Sequence, residues 1–187
     1  MNTTAFNLQP YLENELLILR PLKEGDFDNL YKVASDPLVW EQHPASDRYQ
    51  LNVFEQLFKD AISSKGAFAV IDKNSSIIIG STRFHAIEGI PNAIEIGWTF
   101  LAREYWGGRY NTWMKCLMIE YALGFVENIL FYIGKDNFRS RKAVEKIGGE
   151  QIEALDGQPL DLRKNGTVIY KITKKWWSLN HDKFTTS

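Results

Sequence analysis

The chain has 187 residues, a formal net charge of -1 at pH 7 and ordinary apolar and charged fractions, which suits one soluble domain with a real core. The near-zero charge excludes a chain-wide surface for nucleic acid or acidic lipid. The single cysteine, Cys116, excludes a disulfide framework and a cysteine-built metal site.

Residues 1–11 are polar and irregular, which predicts a frayed lead-in, so residues 1–12 are set apart from the domain. "ELLILRPL" reads as a short buried strand ended by Pro21. In "EGDFDNLYKVASDP", Phe27, Leu30, Tyr31 and Ala34 recur at i, i+3, i+4 and i+7. That spacing predicts an amphipathic helix, with Asp26 or Gly25 as its N-cap and Pro37 as its stop. "LVWEQHPASDRYQ" has no period and reads as a loop. "NVFEQLFKDAISS" repeats the helical pattern through Val53, Phe54, Leu57, Phe58, Ala61 and Ile62. "AFAVID" and "IIIGSTRFHAI" flank the turn "KNSS", and "AIEIGWTFL" follows the turn "EGIPN", which predicts a three-stranded antiparallel meander.

Past two glycines, Met114, Leu117, Met118, Tyr121, Ala122 and Phe125 line one face of a long helix. "ILFYIG" is the next strand. "NFRSRKAVEKIGG" is a short helix, with Gly148 or Gly149 as its left-handed stop. "EQIEALDG" and "GTVIYKITKKW" read as a closing strand pair, and residues 178–187 as a polar tail. The order is β-α-α-β-β-β-α-β-α-β-β. The β-α-β unit over residues 93–134 predicts a right-handed parallel crossover within an otherwise antiparallel sheet. No internal repeat or linker divides residues 13–177. No signal peptide is visible, and no apolar run nears the ~20 residues of a membrane span, so a cytoplasmic protein without membrane contact is expected.

The segment "EIGWTFLAREYWGGRYN" carries the first chemistry. A helix N-terminus leaves backbone N–H groups without internal partners, and the helix dipole makes them an anion site. Gly107 and Gly108 let a ligand approach the backbone, and Arg109 adds a bidentate positive fork. A plain turn with a solvated arginine is the competing reading. A P-loop needs Lys then Ser or Thr here, and a Rossmann fingerprint needs three spaced glycines; neither is present. On the following helix Arg139, Lys142 and Lys146 form a basic stripe beside that mouth, suited to a ligand with several phosphates or simply to solvent. His43, His85 and His181 share no ligand spacing, so no metal is implied.

The run from "EIGWTFL" through "EYWGGRYN" to "NFRSRKAVEKIGG", opened by "LLILRPLKEGDFDNLYKVASDP", resembles the GNAT superfamily of acyl-CoA-dependent N-acetyltransferases. It is similar in particular to the branch of ribosomal-protein-alanine N-acetyltransferases. The resemblance spans roughly residues 15–177. It implies a single-domain α+β fold: a mixed, mostly antiparallel sheet with a parallel, splayed strand pair, flanked by about four helices. It implies acetyl-CoA as cofactor, with its diphosphate on the amides that open the long helix. The family pattern Arg/Gln-x-x-Gly-x-Gly/Ala falls on Trp106, Gly107, Gly108, Arg109, Tyr110 and Asn111, and departs from it at Arg109 and Asn111, where the family has small residues. Phe100 and Leu101 would pair with the pantetheine arm across the splay, with Gly97 as the bulge that begins it. Asn137, Ser140, Glu145, Lys146 and Gly148 fit the family's next helix, so Asn137, Arg139, Ser140 and Lys142 join the cofactor site. The tyrosine that protonates the leaving thiolate in many members is Val144 here, and Ser140 takes that role in the resembling branch.

Acyl transfer to an amine needs a base, a polarised carbonyl and a stabilised thiolate. Glu95, the one acid inside the central strand, is the expected base, ahead of His85 and His43; a cross-strand ion pair with Arg83 is the alternative reading. The loop bearing Trp40, Glu41, Gln42 and His43 borders the acceptor site in the family, so Trp40, Glu41, His43, Arg83 and His85 are the expected acceptor residues. The expected acceptor is a primary amine, on a protein N-terminus or a small molecule. A non-catalytic acyl-CoA-binding sensor is the rival from another class. The aromatics of "KKWW" suit a homodimer contact.

Overall fold

Residues 6–155, 158–160 and 166–185 are described by the computed structural model. Alternating apolar runs become strands with a period of two, and these strands form one eight-stranded sheet. In chain order they are β1 (Leu12–Glu13), β2 (Leu17–Pro21), β3 (Ala67–Asp72), β4 (Ile78–Ala86), β5 (Ala93–Leu101), β6 (Asn128–Gly134), β7 (Glu150–Ile152) and, after the small hairpin of β8 (Ala154–Leu155) and β9 (Gln158–Pro159), β10 (Thr167–Thr173). The sheet order is β1-β2-β3-β4-β5-β6-β10-β7. All its pairs are antiparallel except β5 with β6. The expected meander, parallel crossover and closing pair are all present, with β10 inserted between β6 and β7.

Helices cover both faces. Between β2 and β3 lie α1 (Phe27–Ala34) and α2 (Leu51–Ser63), and between β5 and β6 lies α3 (Tyr110–Leu123). Next come α4 (Phe138–Lys146), α5 (Lys174–Asn180) and α6 (Asp182–Thr185). Strand alternation divides the core accordingly. Phe68, Val70, Phe84, Ile94, Ile96 and Phe131 face α3 with Met114 and Met118, while Ala67, Ala69 and Phe100 face α1 and α2 with Trp40, Phe54 and Phe58.

Four local expectations change. Asp26 does precede α1, but its side chain does not cap it; the carboxylate instead takes both Arg20 guanidinium nitrogens at 2.7 Å and the Lys23 amide at 2.8 Å. The long helix ends before Phe125, and it is buried nearly all round, because Lys115, Cys116, Ile119 and Leu123 are enclosed along with Met114, Met118 and Ala122. The start of the chain is not loose from Phe6 onward: its ring packs 5.4 Å from Phe84. The expected polar tail carries α5 and α6, and its rings turn inward. Trp177 is 4% exposed and lies 5.8 Å from Phe184. Trp176 occupies the space a Cβ at Gly148 would need, which only a glycine at φ +88° allows. The "KKWW" aromatics therefore pack against the core.

Candidate active site

β5 and β6 hold together over three residue pairs, Ala93 with Asn128, Ile94 with Ile129 and Glu95 with Leu130. Beyond Glu95 the strands part, although β5 runs on to Leu101 and β6 to Gly134. A parallel pair that stops bonding midway leaves two open backbone edges facing each other. Glu95 stands at the apex of this splay, 3% exposed, and faces His85 across β4.

The irregularity that bends β5 away lies one residue beyond Gly97. Gly97 pairs regularly with Arg83, and Ser81 pairs with Phe100, so Thr82 alone faces both Trp98 and Thr99. That is a β-bulge, and Trp98 sits in it at φ +49°. A bulky residue in the left-handed region is strained and stays there only if its surroundings hold it. Here the Arg83 guanidinium lies 4.5 Å from the Trp98 ring and His85 packs 5.4 Å away.

At the open end of the splay, α3 starts without a side-chain cap. Gly107, at φ +71°, and Gly108 have nothing within 4 Å of where a Cβ would be. Both glycines and Arg109 are exposed, and the Arg109 guanidinium lies 5.3 Å from the Trp113 ring. Tyr110 anchors the helix start to β3 by donating to Asp72 Oδ1 at 2.8 Å. Trp106 donates its indole N–H to the Leu101 carbonyl at 2.8 Å, so that acceptor on the β5 edge is occupied by the protein itself. Asn111 is half-buried in the first turn of α3.

On the far side, Asn137 caps α4 by accepting from the Ser140 amide at 3.1 Å, which fixes Ser140 in the first turn. Arg139 does not lie in a solvated stripe with the exposed Lys142 and Lys146. Its amide donates to Gln42 Oε1 at 2.9 Å, its guanidinium to the Val39 carbonyl at 2.8 Å, and the same guanidinium stacks 3.9 Å from Trp106. Pro44 packs so close to Gly134 that a Cβ there would meet Pro44 Cγ at 2.6 Å. The loop after α1 is thereby tied to the end of β6, to α4 and to the α3 mouth.

The face toward α1 and α2 gathers the expected acceptor residues. Trp40 is 2% exposed and packs 4.9 Å from Phe100; Glu41 is exposed. His43 uses both ring nitrogens, Nδ1 with the Ala45 amide at 2.9 Å and Nε2 with Arg48 at 3.1 Å. Burial first, then the Arg48 charge, pulls its pKa down to about 4, so it is neutral at pH 7. Burial also lowers Arg48 and Arg139, and brings Arg83 down to about 10. Arg48 lies 5.5 Å from the Trp40 ring. Three arginines thus lie against three tryptophans around this face.

Sequence reasoning missed two of these groups, Arg48 and Lys115. Lys115 is 4% exposed and points from α3 into the floor of the splay. Its ammonium donates to Thr99 Oγ1 at 2.5 Å and lies 5.7 Å from the Phe131 ring, and Thr99 Oγ1 is 2.8 Å from Thr82 Oγ1. Burial pushes the amine down to about 7. The signal was present in the sequence: Lys115 precedes Met118, Ile119 and Ala122 by three, four and seven residues, the buried face of the helix.

A sequence model of the Acetyltransferase (GNAT) domain matches residues 17–150. The chain belongs to that family. A GCN5-related N-acetyltransferase from Brucella melitensis shares 21% identity, covers 94% of this chain and 84% of its own, and superposes with a TM-score of 0.74. A GNAT-family acetyltransferase from Bacillus anthracis shares 19%, covers 89% and 99%, and gives 0.69. Spermidine N-acetyltransferase from Vibrio cholerae, in complex with CoA and spermine, shares 18%, covers 88% and 99%, and gives 0.61. At such identities the likeness carries the fold. Family membership makes this chain an acyltransferase of the acyl-CoA-dependent type, and among its described residues no helix is long and apolar enough to cross a membrane.

Proposed function

We propose that this protein transfers an acetyl group from acetyl-CoA to a primary amine, by direct attack of the amine. The observation that carries this is the pair of open edges beyond Glu95, which leads from the uncapped α3 mouth to a buried carboxylate. The residues present fit the cofactor: the two Cβ-free glycines leave the α3 amides clear for a diphosphate. The amides of Gly107, Gly108, Tyr110 and Asn111, with the Arg109 fork, would hold that diphosphate. Phe100 and the facing edge of β6 would bond the pantetheine arm as an added strand. Because Trp106 occupies the Leu101 carbonyl, Leu101 contributes its remaining backbone group and its side chain. Asn137, Arg139, Ser140 and Lys142 would line the α4 side. Acetyl-CoA, when bound, supplies the activated acyl group.

Glu95 takes a proton from the incoming amine, directly or through water. Its place at the apex of the splay puts the base where the two reactants would meet. A backbone N–H of the Trp98–Thr99 bulge polarises the carbonyl, since a bulge frees an amide from the ladder. Ser140 donates a hydrogen bond to the departing sulfur, standing in for the tyrosine that Val144 replaces. Trp40, Glu41, His43, Arg83 and His85 shape the acceptor side, with His43 structural and neutral. The resemblance to the ribosomal-protein-alanine branch keeps a protein N-terminus among the acceptors, beside small amines.

Release of free thiol from acetyl-CoA across a panel of amines tests the proposal. Amine-dependent release supports it. CoA binding with no release from any amine would favour the acyl-CoA sensor instead.

A further inference from the structure

Arg83 leaves the β4 strand on the α1/α2 face and is 6% exposed. Its Nε is buried without a hydrogen-bond partner. Among the described residues no carboxylate lies within ion-pair distance of it. A buried guanidinium in that state carries an unmet demand for an anion. The nearby charges do not meet it. Asp60 and Glu95 act on it from a distance, Arg48 opposes them, and burial outweighs all three. Arg83 also lines a small cavity of about 20 Å³, room for about one water, with Ser81, Trp98, Phe100, Phe54 and Leu57 among its walls. The guanidinium lies over the strained Trp98 ring at 4.5 Å, which holds it in place with its fork available to an oxyanion.

Arg83 and Glu95 share this face of the sheet. Arg83 is opposite Gly97, and Glu95 is two residues along the same strand, the diagonal relation. An acceptor whose amine points at Glu95 therefore has its neighbouring atoms beside Arg83. We propose that Arg83 binds a carboxylate or phosphate group carried by a small acceptor amine, so that the acceptor is an amine and an oxyanion joined by a short chain. This inference rests on the acyl-transfer function proposed above. A polyamine would meet Arg48, Arg83 and Arg139 as like charges, and a protein N-terminus has no carboxylate next to its amine.

The test uses the full chain with acetyl-CoA and follows thiol release. Glycine, leucine and aminomethylphosphonate are compared with leucinamide, isoamylamine and spermidine. The expected result is a kcat/KM at least ten-fold higher for the anionic members, with carboxylate and phosphonate separated by their own arms. Arg83→Gln erases that preference through KM for the anionic acceptors, and Arg83→Lys restores part of it. CoA affinity measured by calorimetry and the melting temperature show whether Arg83→Gln remains folded; the wild-type panel decides the matter even if it does not. Equal or better use of leucinamide, isoamylamine or spermidine overturns the inference while leaving acyl transfer standing. Should no amine release thiol, the function proposed above fails, and calorimetry of the CoA-loaded protein with leucine and with inorganic phosphate decides this one. Binding lost in Arg83→Gln supports it, and absence of binding overturns it.

Discussion

At the α3 mouth the polar groups on offer are backbone amides, with Gly107, Gly108 and Arg109 exposed and no side-chain cap on the helix. On the face toward α1 and α2 the polar groups are side chains instead, with Arg48, Arg83 and Arg139 drawn inward against Trp40, Trp98 and Trp106. Backbone amides recognise charge and distance with little regard to what lies beyond, which suits a cofactor common to every turnover. Buried guanidiniums fixed by stacking recognise one shape of anion, which suits selection of an acceptor. Glu95 sits where the two regions meet, and Arg139 ties them, since it bonds Val39 and stacks on Trp106 together.

That division predicts effects that separate by region. The largest belongs to the meeting point: Glu95→Gln lowers kcat by roughly 10²–10⁴-fold, the range for a lost general base, with CoA affinity nearly unchanged by calorimetry. A kcat within a factor of a few of the parent would remove Glu95 from the chemistry. Next is Ser140→Ala, which loses a hydrogen bond to a developing charge, worth about 1.5–3 kcal/mol. It lowers kcat more than KM in steady-state kinetics, because thiolate charge is absent from the ground state; a pure KM effect would assign Ser140 to binding alone. At the mouth, Arg109→Glu weakens CoA by about 1–3 kcal/mol while acceptor preference stays as it was. Unchanged affinity would show that the amides suffice without the arginine.

The last effect concerns stability rather than turnover and has a definite sign. Lys115 has an ordinary value of 10.5 and is held at about 7 by burial. Between those values the unfolded chain binds the extra proton, so stability rises with pH across that window, by up to about 1.4 kcal/mol per unit. Lys115→Met removes the penalty and melts higher at pH 7, with the gap closing as pH approaches 10.5. His43 adds the same sign in acid, because its pKa falls from 6.5 to about 4, and the fold loses stability as pH drops through that range. Melting curves against pH for the parent and Lys115→Met read both effects. A lower melting temperature for the variant at pH 7 would mean that the ammonium is better compensated than its surroundings indicate.

The regions also differ in how far the sequence disclosed them. The α3 mouth was legible because its chemistry is local: the glycines, the arginine and the helix start lie within "WGGRYN". The strands and helices were legible from their periods, and the crossover from their order. Glu95 stood out as an acid in an apolar strand. The arginine–tryptophan pairs were not legible, because Arg48 meets Trp40 through a loop, Arg83 meets Trp98 across a sheet, and Arg139 meets Trp106 from another helix. The sequence points to Gly97 for the bulge, where backbone freedom is greatest, yet the left-handed residue is Trp98, which its partners hold in place. Lys115 does not stand out in the sequence because lysines are rarely enclosed. The C-terminal helices were hidden by polar composition, since two tryptophans and Phe184 suffice to dock them.

A crystal structure with CoA tests the whole account most directly. The diphosphate is expected within hydrogen-bond distance of amides in residues 107–111, and the pantetheine between β5 and β6 with its sulfur beside the Glu95 apex. CoA bound elsewhere, or β5 and β6 closed upon each other along their full length, would contradict it.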